Sequence, residues 1–322
     1  MRWSAKAVAM AVLLFFVVLL ALRWLVVTII TNDDSLRPVV RGNAFYVHPR
    51  VQPNASIHSV ETIPTYSLDD WRKCMDDQLT SYSSKEWESF TPTVETCSRN
   101  LAIIMPHAFN NKDERKYVYL APPEKESVLV TIGIGTDIVA EEKLRLRCPN
   151  TKFYGADPIS DPNEQLYSTL GEFFPFAIGK ETKSSDASVL VNGVYTQRSI
   201  SHLNIIAFLK YLVKHNFIDY LWLDAEGAEF GIYDMFYKNG AFDRENTIIC
   251  QVNIENHCTN KEDKSAFMHF VKQLVKDGKY IIVKSLSRET FPYYNQLFFV
   301  NVESEYCVEK FKFGISQNEV VD

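Results

Sequence analysis

Residues 218–230 read IDYLWLDAEGAEF, an apolar run that is followed by three carboxylates. Asp224 ends the apolar run, and Glu226 and Glu229 come directly after it. A carboxylate in this position can stabilise a bound cation or accept a proton from a hydroxyl group late in a reaction. We predict such a role for Asp224 first and for Glu226 second. For Glu229, a solvated acid at the start of a helix, favoured by the helix dipole, is the better interpretation.

A second set of candidates lies earlier in the chain. Residues 131–137 read TIGIGTD, and glycines at 133 and 135 allow a tight turn and a close approach to a ligand. The next apolar segment ends in YGAD, which puts Asp157 where nucleotide-binding folds hydrogen-bond ribose hydroxyls. Asp157 also suits a simple turn, because Pro158 follows it.

A histidine ends a third polar stretch, QVNIENH, in which Gln251, Asn253, Glu255 and His257 alternate with other residues. We expect all four near the end of a strand. His257 is a candidate general base if it reaches a substrate hydroxyl. A lone histidine is more often structural or simply exposed, so both interpretations stay open.

Apolar segments alternate with helical patterns from Ser127 onward, and this rhythm predicts a mostly parallel sheet with helices on both faces. The last two segments are joined by a short loop and must be antiparallel. The fold class is therefore α/β, a Rossmann-like sheet of seven strands with an antiparallel strand at the end. In such a sheet, ligands bind beyond the carboxyl ends of the strands, where the candidates above lie. The predicted strands are SVLVTIG, KFYGAD, EFFPFAIG, IDYLWLD, TIICQVNIE, YIIVKSLS and YYNQLFFVNVE.

Other segments of this region predict helices or a hairpin. HLNIIAFLKYLVKH and EFGIYDMFYKNG have helical periodicity, and Gly240 closes the second. DIVAEEKLRLRC, PNEQLYSTLG and SAFMHFVKQLVKDG also predict helices. ASVLVNGVYTQRSI predicts two strands joined at Asn192 and Gly193.

The N-terminal region has a different composition. Residues 7–30 are long and apolar enough for a transmembrane helix if Arg23 reaches an interface, and no small-x-small cleavage site favours a removable signal peptide. We predict a single-pass signal anchor in the type II orientation, with the body in the ER or Golgi lumen or outside the cell. Around this anchor the predicted regions are a tail (1–6), a stem with a glycosylation sequon at Asn54 (31–64), a mixed helical subdomain (65–125), the main domain (126–310) and a C-terminal tail (311–322).

Composition limits the possible partners. The formal net charge of −6 argues against a nucleic-acid partner. The six cysteines form an even set that an oxidising compartment tolerates, and we expect Cys74 and Cys97 to pair because both lie outside the strand–helix repeat. The other cysteines are compatible with buried thiols. No cysteine lies in a CxxC pair, so we assign no metal site. The oligomeric state stays open.

Taken in order, the glycine turn, FYGADP, FAIG, IDYLWLDAEGAEF and ICQVNIENH resemble the FkbM-type family of S-adenosylmethionine-dependent methyltransferases, and in particular its divergent nematode members. The similarity covers about residues 127–302, and DAEGAE is its most specific part. It implies a class I methyltransferase fold, S-adenosylmethionine as the cofactor, and methylation of a hydroxyl oxygen on a small molecule or glycan without a metal.

The resemblance also implies roles for single residues. Gly133, Ile134 and Gly135 would border the methionine part of the cofactor. Asp157 would take the ribose hydroxyls, and Asp224 would face the methionine end or the substrate. The chain departs from the family pattern at Thr131 in place of an acid, Asp137 in place of a glycine and Trp222 in place of a lysine.

Two other classes of function remain as alternatives. A lumenal glycosyltransferase has the same anchored layout, and the DAE run at residues 224–226 imitates the metal-binding acid pair of such enzymes. The glycine turn after the first strand favours the methyltransferase. A non-catalytic module on a retired methyltransferase fold is the second alternative, supported by the altered glycine loop.

Overall fold

The computed structural model describes residues 68–80, 84–99, 101, 105–112, 114–191, 194–288 and 291–313. The predicted membrane anchor (7–30), the sequon at Asn54, and the turn residues Asn192 and Gly193 lie outside these residues. Within the described part of the chain, no helix combines the length and apolarity needed to cross a membrane.

The described residues form strands and helices that alternate along most of the chain. The strands are β1 (His107–Asn110), β2 (Arg115–Val118), β3 (Ser127–Ile132), β4 (Thr151–Ala156), β5 (Glu172–Phe174), β6 (Ala177–Gly179), β7 (Lys183–Val191), β8 (Val194–Asn204), β9 (Phe217–Leu223), β10 (Ile248–His257), β11 (Tyr280–Arg288) and β12 (Phe291–Asn301). The α-helices are α1 (Leu68–Gln78), α2 (Trp87–Arg99), α3 (Val139–Arg147), α4 (Ser160–Tyr167), α5 (Ile205–Ala207), α6 (Ala241–Arg244), α7 (Lys261–Asp277) and α8 (Glu305–Phe311).

A seven-stranded sheet lies at the centre and confirms the predicted Rossmann-like fold class. Its order is β11-β12-β10-β9-β3-β4-β5. All neighbours from β10 to β5 are parallel, and β12 is antiparallel to both β10 and β11, as predicted for the last strand. The chain builds outward from β3 in one direction and then returns to add β9 on the other side. This reversal opens a crevice above the carboxyl ends of β3 and β9.

The central strands are continuous apolar runs because both faces of the sheet are covered. Every residue of β3 is buried, and so is every residue of β9 after Phe217. Strands of a parallel sheet have this pattern, since helices pack on each side. The longest of these helices, α7, is capped at its start by Asn260, whose side chain accepts a hydrogen bond from the Asp263 N–H, and at its end by Gly278 in the left-handed conformation.

Three predicted elements differ in the structure. EFFPFAIG is not one strand, because Pro175 lacks an N–H and separates β5 from β6, which lie in different sheets. β8 continues to Asn204, so the predicted helix begins only at Ile205 and continues as a π-helical turn, Phe208–Val213. EFGIYDMFYKNG forms the 3₁₀ turns Ala228–Gly231 and Tyr233–Met235, because tertiary burial of residues such as Glu229 overrides the helical pattern.

A second, three-stranded sheet has the order β6-β8-β7 and is inserted in the chain between β5 and β9. β7 and β8 are the predicted hairpin, paired from Lys183↔His202 to Val191↔Val194. The sequence predicted these strands but not that β6 would join them.

The helices before the sheet pack on its β11 edge. Ser98 of α2 donates to the Ile282 carbonyl (2.8 Å), and the Phe90 ring contacts Phe267 of α7 edge-on at 5.1 Å. A disulfide between Cys74 and Cys97 joins α1 to α2, which confirms the predicted pairing.

The other cysteines divide between a bridge and two thiols. A second disulfide, Cys250–Cys307, fastens α8 to β10 and was not predicted. Cys148 and Cys258 are buried thiols, as the sequence allowed.

Two polar residues of β10 support the β1–β2 hairpin and lie outside the cleft. The Asn253 side-chain amide exchanges two hydrogen bonds with the backbone of Tyr117, both 2.8 Å. The Gln251 amide does the same with Tyr119, at 2.8 and 3.0 Å. These amides replace the backbone of a neighbouring strand. Their expected place with the candidates at the strand end is therefore wrong, whereas Glu255 and His257 do lie there.

Candidate active site

The glycine loop, residues 133–137, joins β3 to α3 at the carboxyl end of the sheet, and the protein itself binds all of its backbone N–H groups. Gly133 donates to the Ala156 carbonyl (2.9 Å) and Thr136 to Oδ1 of Asn163 (2.9 Å). Asp137 donates to the Ile134 carbonyl (3.2 Å). The shape of the loop is therefore determined before any ligand binds.

Asp157 clamps this loop from the end of β4. Its Oδ2 accepts from the N–H groups of Ile134 (2.9 Å) and Gly135 (3.3 Å), and its Oδ1 accepts from Ile159 (2.8 Å). Burial raises the pKa of Asp157 and these N–H donors oppose it, with a net increase. Each carboxylate oxygen has two lone-pair sites, so Oδ1 keeps the capacity to accept a ligand hydroxyl.

The two glycines of the loop are required for different reasons, although both have positive φ (+81° at Gly133 and +60° at Gly135). A Cβ on Gly133 would lie 1.9 Å from the backbone oxygen of Asp224. A Cβ on Gly135 would meet no atom within 4 Å. Gly133 thus allows the loop to pack against Asp224, whereas Gly135 leaves open space beside the loop.

On the other side of the crevice, a buried carboxylate orients His257. Glu229 is completely buried, and its Oε1 accepts from both the backbone N–H (2.8 Å) and Nδ1 (2.9 Å) of His257. Its Oε2 accepts from the N–H of Gly227 (2.7 Å). A carboxylate can only accept, so Nδ1 carries the proton and Nε2 points away from Glu229. The prediction of a solvated Glu229 is wrong, because the turn folds this side chain inward.

Nε2 of His257 lies among further carboxylates. It is 3.5 Å from Oδ1 of Asp224, 3.4 Å from Oε2 of Glu226 and 3.9 Å from Oε1 of Glu255. We call Asp224, Glu226 and His257 the acid–histidine cluster. Glu226 has a left-handed backbone (φ +49°), an uncommon conformation for a residue other than glycine.

Charge in the cluster changes the expected role of His257. Burial alone would lower the pKa of His257, but Glu229, Asp224 and Glu226 raise it to about 10. Burial and Glu255 raise the pKa of Asp224 well above its ordinary value, although His257 opposes this. An imidazole with so high a pKa carries a proton at neutral pH and is a poor general base. The other candidate proton acceptors in the cluster are the carboxylates of Asp224 and Glu226.

The β1–β2 hairpin supplies a buried cation that the sequence reasoning missed. Lys116 pairs with Glu114, and its ammonium lies 5.9 Å from the centre of the Trp222 ring. Burial lowers the pKa of Lys116, but Glu114, Asp224 and Glu255 outweigh this and raise it. The segment before Ser127 had no periodic pattern that could place this lysine beside the cleft.

The residues at two of the departures from the family pattern have structural partners. Thr131 donates to Oε1 of the buried Glu141 (3.0 Å) and accepts from the Tyr167 hydroxyl (3.2 Å). Burial raises the pKa of Glu141 to about 7. Asp137 accepts from the N–H groups of Lys112 (2.8 Å) and Val139 (3.0 Å), which ties the hairpin segment to the start of α3.

The predicted site residues surround a single cleft. A cavity of about 420 Å³ lies above the crevice, within the size range of small-molecule sites. Gly133, Ile134, Gly135 and Asp157 line one side of it, and Asp224 and Glu226 line another. The small sheet adds a wall that the sequence did not predict, with Ile178, Asp186, Val189, Gln197, Ile200 and His202. The predicted residues thus converge, and His257 joins them through Asp224 and Glu226.

The strand order, the reversed last strand and the glycine loop facing an acid at the end of β4 define the class I methyltransferase architecture. The chain also matches the model of the methyltransferase FkbM domain over residues 83–282. It therefore belongs to the FkbM methyltransferase family, and S-adenosylmethionine is its cofactor.

The other likenesses are more distant. An uncharacterized protein from Caenorhabditis elegans, C28H8.7, is 24% identical over 255 residues, which cover 76% of this chain and 80% of that protein. A fibrillarin pre-rRNA processing protein from Methanococcus jannaschii is 10% identical, with a TM-score of 0.35 over 61% of this chain and 82% of that one. The fibrillarin of Aeropyrum pernix with bound S-adenosylmethionine is 11% identical, with a TM-score of 0.32 over the same shares. Likenesses this weak carry no argument about the site.

The residues of the cleft fit the cofactor of the family. Gly135 leaves room beside the loop, and Asp157 retains acceptor capacity. The carboxylates of Asp224 and Glu226 provide the negative charge that suits a sulfonium cation. The family match also favours the methyltransferase over the glycosyltransferase alternative.

Proposed function

We propose that this protein transfers a methyl group from S-adenosylmethionine to a hydroxyl oxygen of a small molecule or glycan. The observation that supports this most directly is the shared cavity, in which the glycine loop and Asp157 lie on one side and Asp224 and Glu226 on another. The proposed acceptor is not a nucleic acid.

Each side of the cleft has its own task in this proposal. The glycine loop and Asp157 hold the cofactor, with Asp157 accepting from the ribose hydroxyls. The apolar wall of Ile178, Val189 and Ile200 shields the acceptor from water.

When bound, the cofactor would supply the methyl group and keep the bonding electron pair on its sulfur. Asp224 would receive the proton that the acceptor hydroxyl loses as its oxygen gains the methyl, with Glu226 as the second candidate. Holding the acceptor oxygen in line contributes much of the acceleration. His257 positions Asp224 and Glu226.

Binding of S-adenosylmethionine to the purified full-length chain, measured by isothermal titration calorimetry, is the first test. We expect one site per chain and at least a tenfold loss of affinity in Asp157→Ala. The matched control is Glu164→Gln, an exposed acid on α4 that should bind normally. Absence of binding to the wild-type chain would favour the non-catalytic module instead.

Methyl transfer to oxygen needs a second assay. Radiolabelled S-adenosylmethionine offered with a panel of glycans and small hydroxyl compounds should yield a base-stable methyl ether. Asp224→Asn should abolish the product while leaving measurable cofactor binding. A product whose methyl group is on nitrogen would overturn the oxygen assignment.

We propose in addition that residues 7–30 anchor the protein to a membrane, with the body in the ER or Golgi lumen or outside the cell. The two disulfides support this, because such bridges persist in oxidising compartments. A glycan on Asn54, detected as a glycosidase-sensitive mass shift absent in Asn54→Gln, would be the expected result. A cytosolic, unglycosylated body would contradict it.

A further inference from the structure

One carboxylate oxygen of the acid–histidine cluster has no hydrogen-bond partner. Oδ1 of Asp224 is buried without one. His257 is only 7% exposed, and its Nε2 approaches Asp224 and Glu226 at 3.5 and 3.4 Å. A charge-assisted N–H···O bond is shorter, about 2.7–2.9 Å. Nε2 and the two carboxylates therefore converge at distances longer than that bond.

We propose that Asp224, Glu226 and His257 bind a divalent transition-metal ion, Mn²⁺ or Zn²⁺. Their ligand atoms all lie within 4.8 Å of one another. Ligands at about 2.1 Å around a tetrahedral ion are about 3.4 Å apart, close to the two distances from Nε2.

The support behind His257 is the kind that metal-binding histidines have. Nδ1 donates to Glu229 (2.9 Å), which fixes the ring and directs Nε2 toward Asp224 and Glu226. A bound ion would displace the proton that Nε2 carries in the metal-free protein. A carboxylate behind a ligating histidine orients the ring and strengthens it as a ligand. Glu229 is thus a positioning residue for this site.

Charge balance also favours a cation. Asp224, Glu226, Glu229 and Glu255 all have oxygens within 4.0 Å of a His257 ring nitrogen. One imidazole stands against four carboxylates, and the nearby Lys116 is already paired with Glu114. A divalent ion would offset this excess of negative charge.

The ligand set narrows the choice of ion. Carboxylate oxygens suit Mn²⁺, imidazole suits Zn²⁺, and a mixed set of two oxygens and one nitrogen accommodates both. Three protein ligands leave a coordination position open, as in catalytic zinc sites. A hydroxyl bound there would be oriented and made more acidic. This catalytic role rests on the proposed function, whereas ion binding does not.

The proposed site differs from the expectation of no metal site, which rested on cysteine spacing and family resemblance. A site made of two acids that follow β9 and a histidine at the end of β10 has no fixed spacing in sequence. His257 follows the cluster's acids by a whole strand–helix unit.

Electron paramagnetic resonance of Mn²⁺ tests the proposal on the metal-free, full-length chain without S-adenosylmethionine. The signal of free Mn²⁺ should fall with a stoichiometry of one per chain, and Zn²⁺ should restore it by competition. Asp224→Asn and His257→Gln should each weaken binding at least tenfold. Glu229→Gln, which leaves all three ligands in place, should weaken it about 10–100-fold.

Two variants serve as controls in the same titration. Asp186→Asn removes a carboxylate that lines the same cleft from the small sheet, and Asp157→Asn alters the cofactor side. Both should bind Mn²⁺ like the wild type. Near-UV circular dichroism identifies any variant that fails to fold, and Asp224→Asn preserves shape.

The outcomes separate this inference from the proposed function. No saturable binding of Mn²⁺ or Zn²⁺ to the wild type, or undiminished binding in Asp224→Asn and His257→Gln, would overturn it even if S-adenosylmethionine binds. Metal binding without cofactor binding would support the site and remove the methyl-transfer role.

Discussion

The two sides of the cleft differ in how completely their polar groups are satisfied. On the glycine-loop side, each backbone N–H of residues 133–137 has a protein acceptor. Asp157 accepts two of these hydrogen bonds and a third from the N–H of Ile159. On the acid–histidine side, Glu229 is equally well bonded, but Asp224 has a buried oxygen without a hydrogen-bond partner. The backbone of the glycine loop is fully bonded by the protein, whereas the acid–histidine side keeps a carboxylate oxygen that the proposed cation would satisfy.

This difference indicates a division of labour. A preformed loop can bind an adenosyl group by shape, at little cost in ordering. An incompletely bonded cluster of charges is costly to the fold and is retained where it acts on a ligand. The two sides touch at Gly133, which packs on the Asp224 backbone. A substitution at Gly133 should therefore have the largest effect on the cleft.

Gly133→Ala and Gly135→Ala should separate packing from ligand space. Gly133→Ala places a Cβ 1.9 Å from the Asp224 oxygen and should cost about 4 kcal/mol or more in the free energy of unfolding. The Cβ of Gly135→Ala meets no protein atom, so the only expected loss comes from the left-handed backbone at this position. That loss is about 1–2 kcal/mol in the free energy of unfolding. Urea unfolding measures both.

Gly135→Ala should still fold but lose about tenfold in affinity for S-adenosylmethionine, measured by calorimetry. Equal destabilisation by the two substitutions would show that the glycines share one role, contrary to the geometry.

Glu229→Ala tests the well-bonded part of the acid–histidine side. The change leaves three donors without their acceptor, in His257 and Gly227, and removes the carboxylate beside the imidazole. We expect a loss of about 3–5 kcal/mol in the free energy of unfolding by urea. The control is Asp234→Ala, which breaks an exposed ion pair between Asp234 and Lys180. It should lower the free energy of unfolding by no more than about 1 kcal/mol. Similar costs for the two variants would contradict a supporting role for Glu229.

Glu141, behind the glycine loop, makes stability depend on pH. Its pKa is about 7 in the folded protein against an ordinary value of 4.5. Below about pH 4.5 both states hold the proton, and between 4.5 and 7 only the folded state does, so stability falls as the pH rises through this window. At about 1.4 kcal/mol per pH unit, the loss reaches about 3 kcal/mol above pH 7. Urea unfolding at pH 5 and pH 8 measures it.

Two variants isolate this contribution from other titrating groups. Glu141→Gln should remove this part of the pH dependence and be more stable than the wild type at pH 8. Glu142→Gln changes the exposed neighbour on the same helix and should follow the wild-type profile. Parallel profiles for the wild type and Glu141→Gln would show that Glu141 does not titrate in this range.

The sequence predicted the sheet and the glycine side well, because both depend on local patterns. A buried strand, a glycine turn and an acid at the end of the next strand occur in one βαβ unit, and parallel strands bring their carboxyl ends together. The Cys74–Cys97 disulfide was predictable for a similar reason, since the two cysteines lie on neighbouring helices.

The acid–histidine side depended on contacts that the sequence does not encode locally. Glu229 turns inward because His257, at the end of β10, offers two donors. Lys116 reaches Trp222 because amide side chains of β10 hold its hairpin in place. Nothing in the spacing of these residues distinguishes them from ordinary surface charges.

The smallest predicted effect concerns the left-handed backbone of Glu226. Glycine adopts a φ of +49° without the Cβ strain, so Glu226→Gly should stabilise the fold by about 1 kcal/mol in urea unfolding. The same change removes one carboxylate from the acid–histidine cluster and should weaken Mn²⁺ binding at least tenfold. Glu226→Gln, which keeps the strained backbone but removes the charge, is the matched control and should weaken Mn²⁺ binding without the gain in stability.

A residue that destabilises the fold yet strengthens ion binding is one retained for the site. If Glu226→Gly were instead less stable than the wild type, the carboxylate would be supporting the fold, and the two sides of the cleft would differ less than their hydrogen bonds indicate.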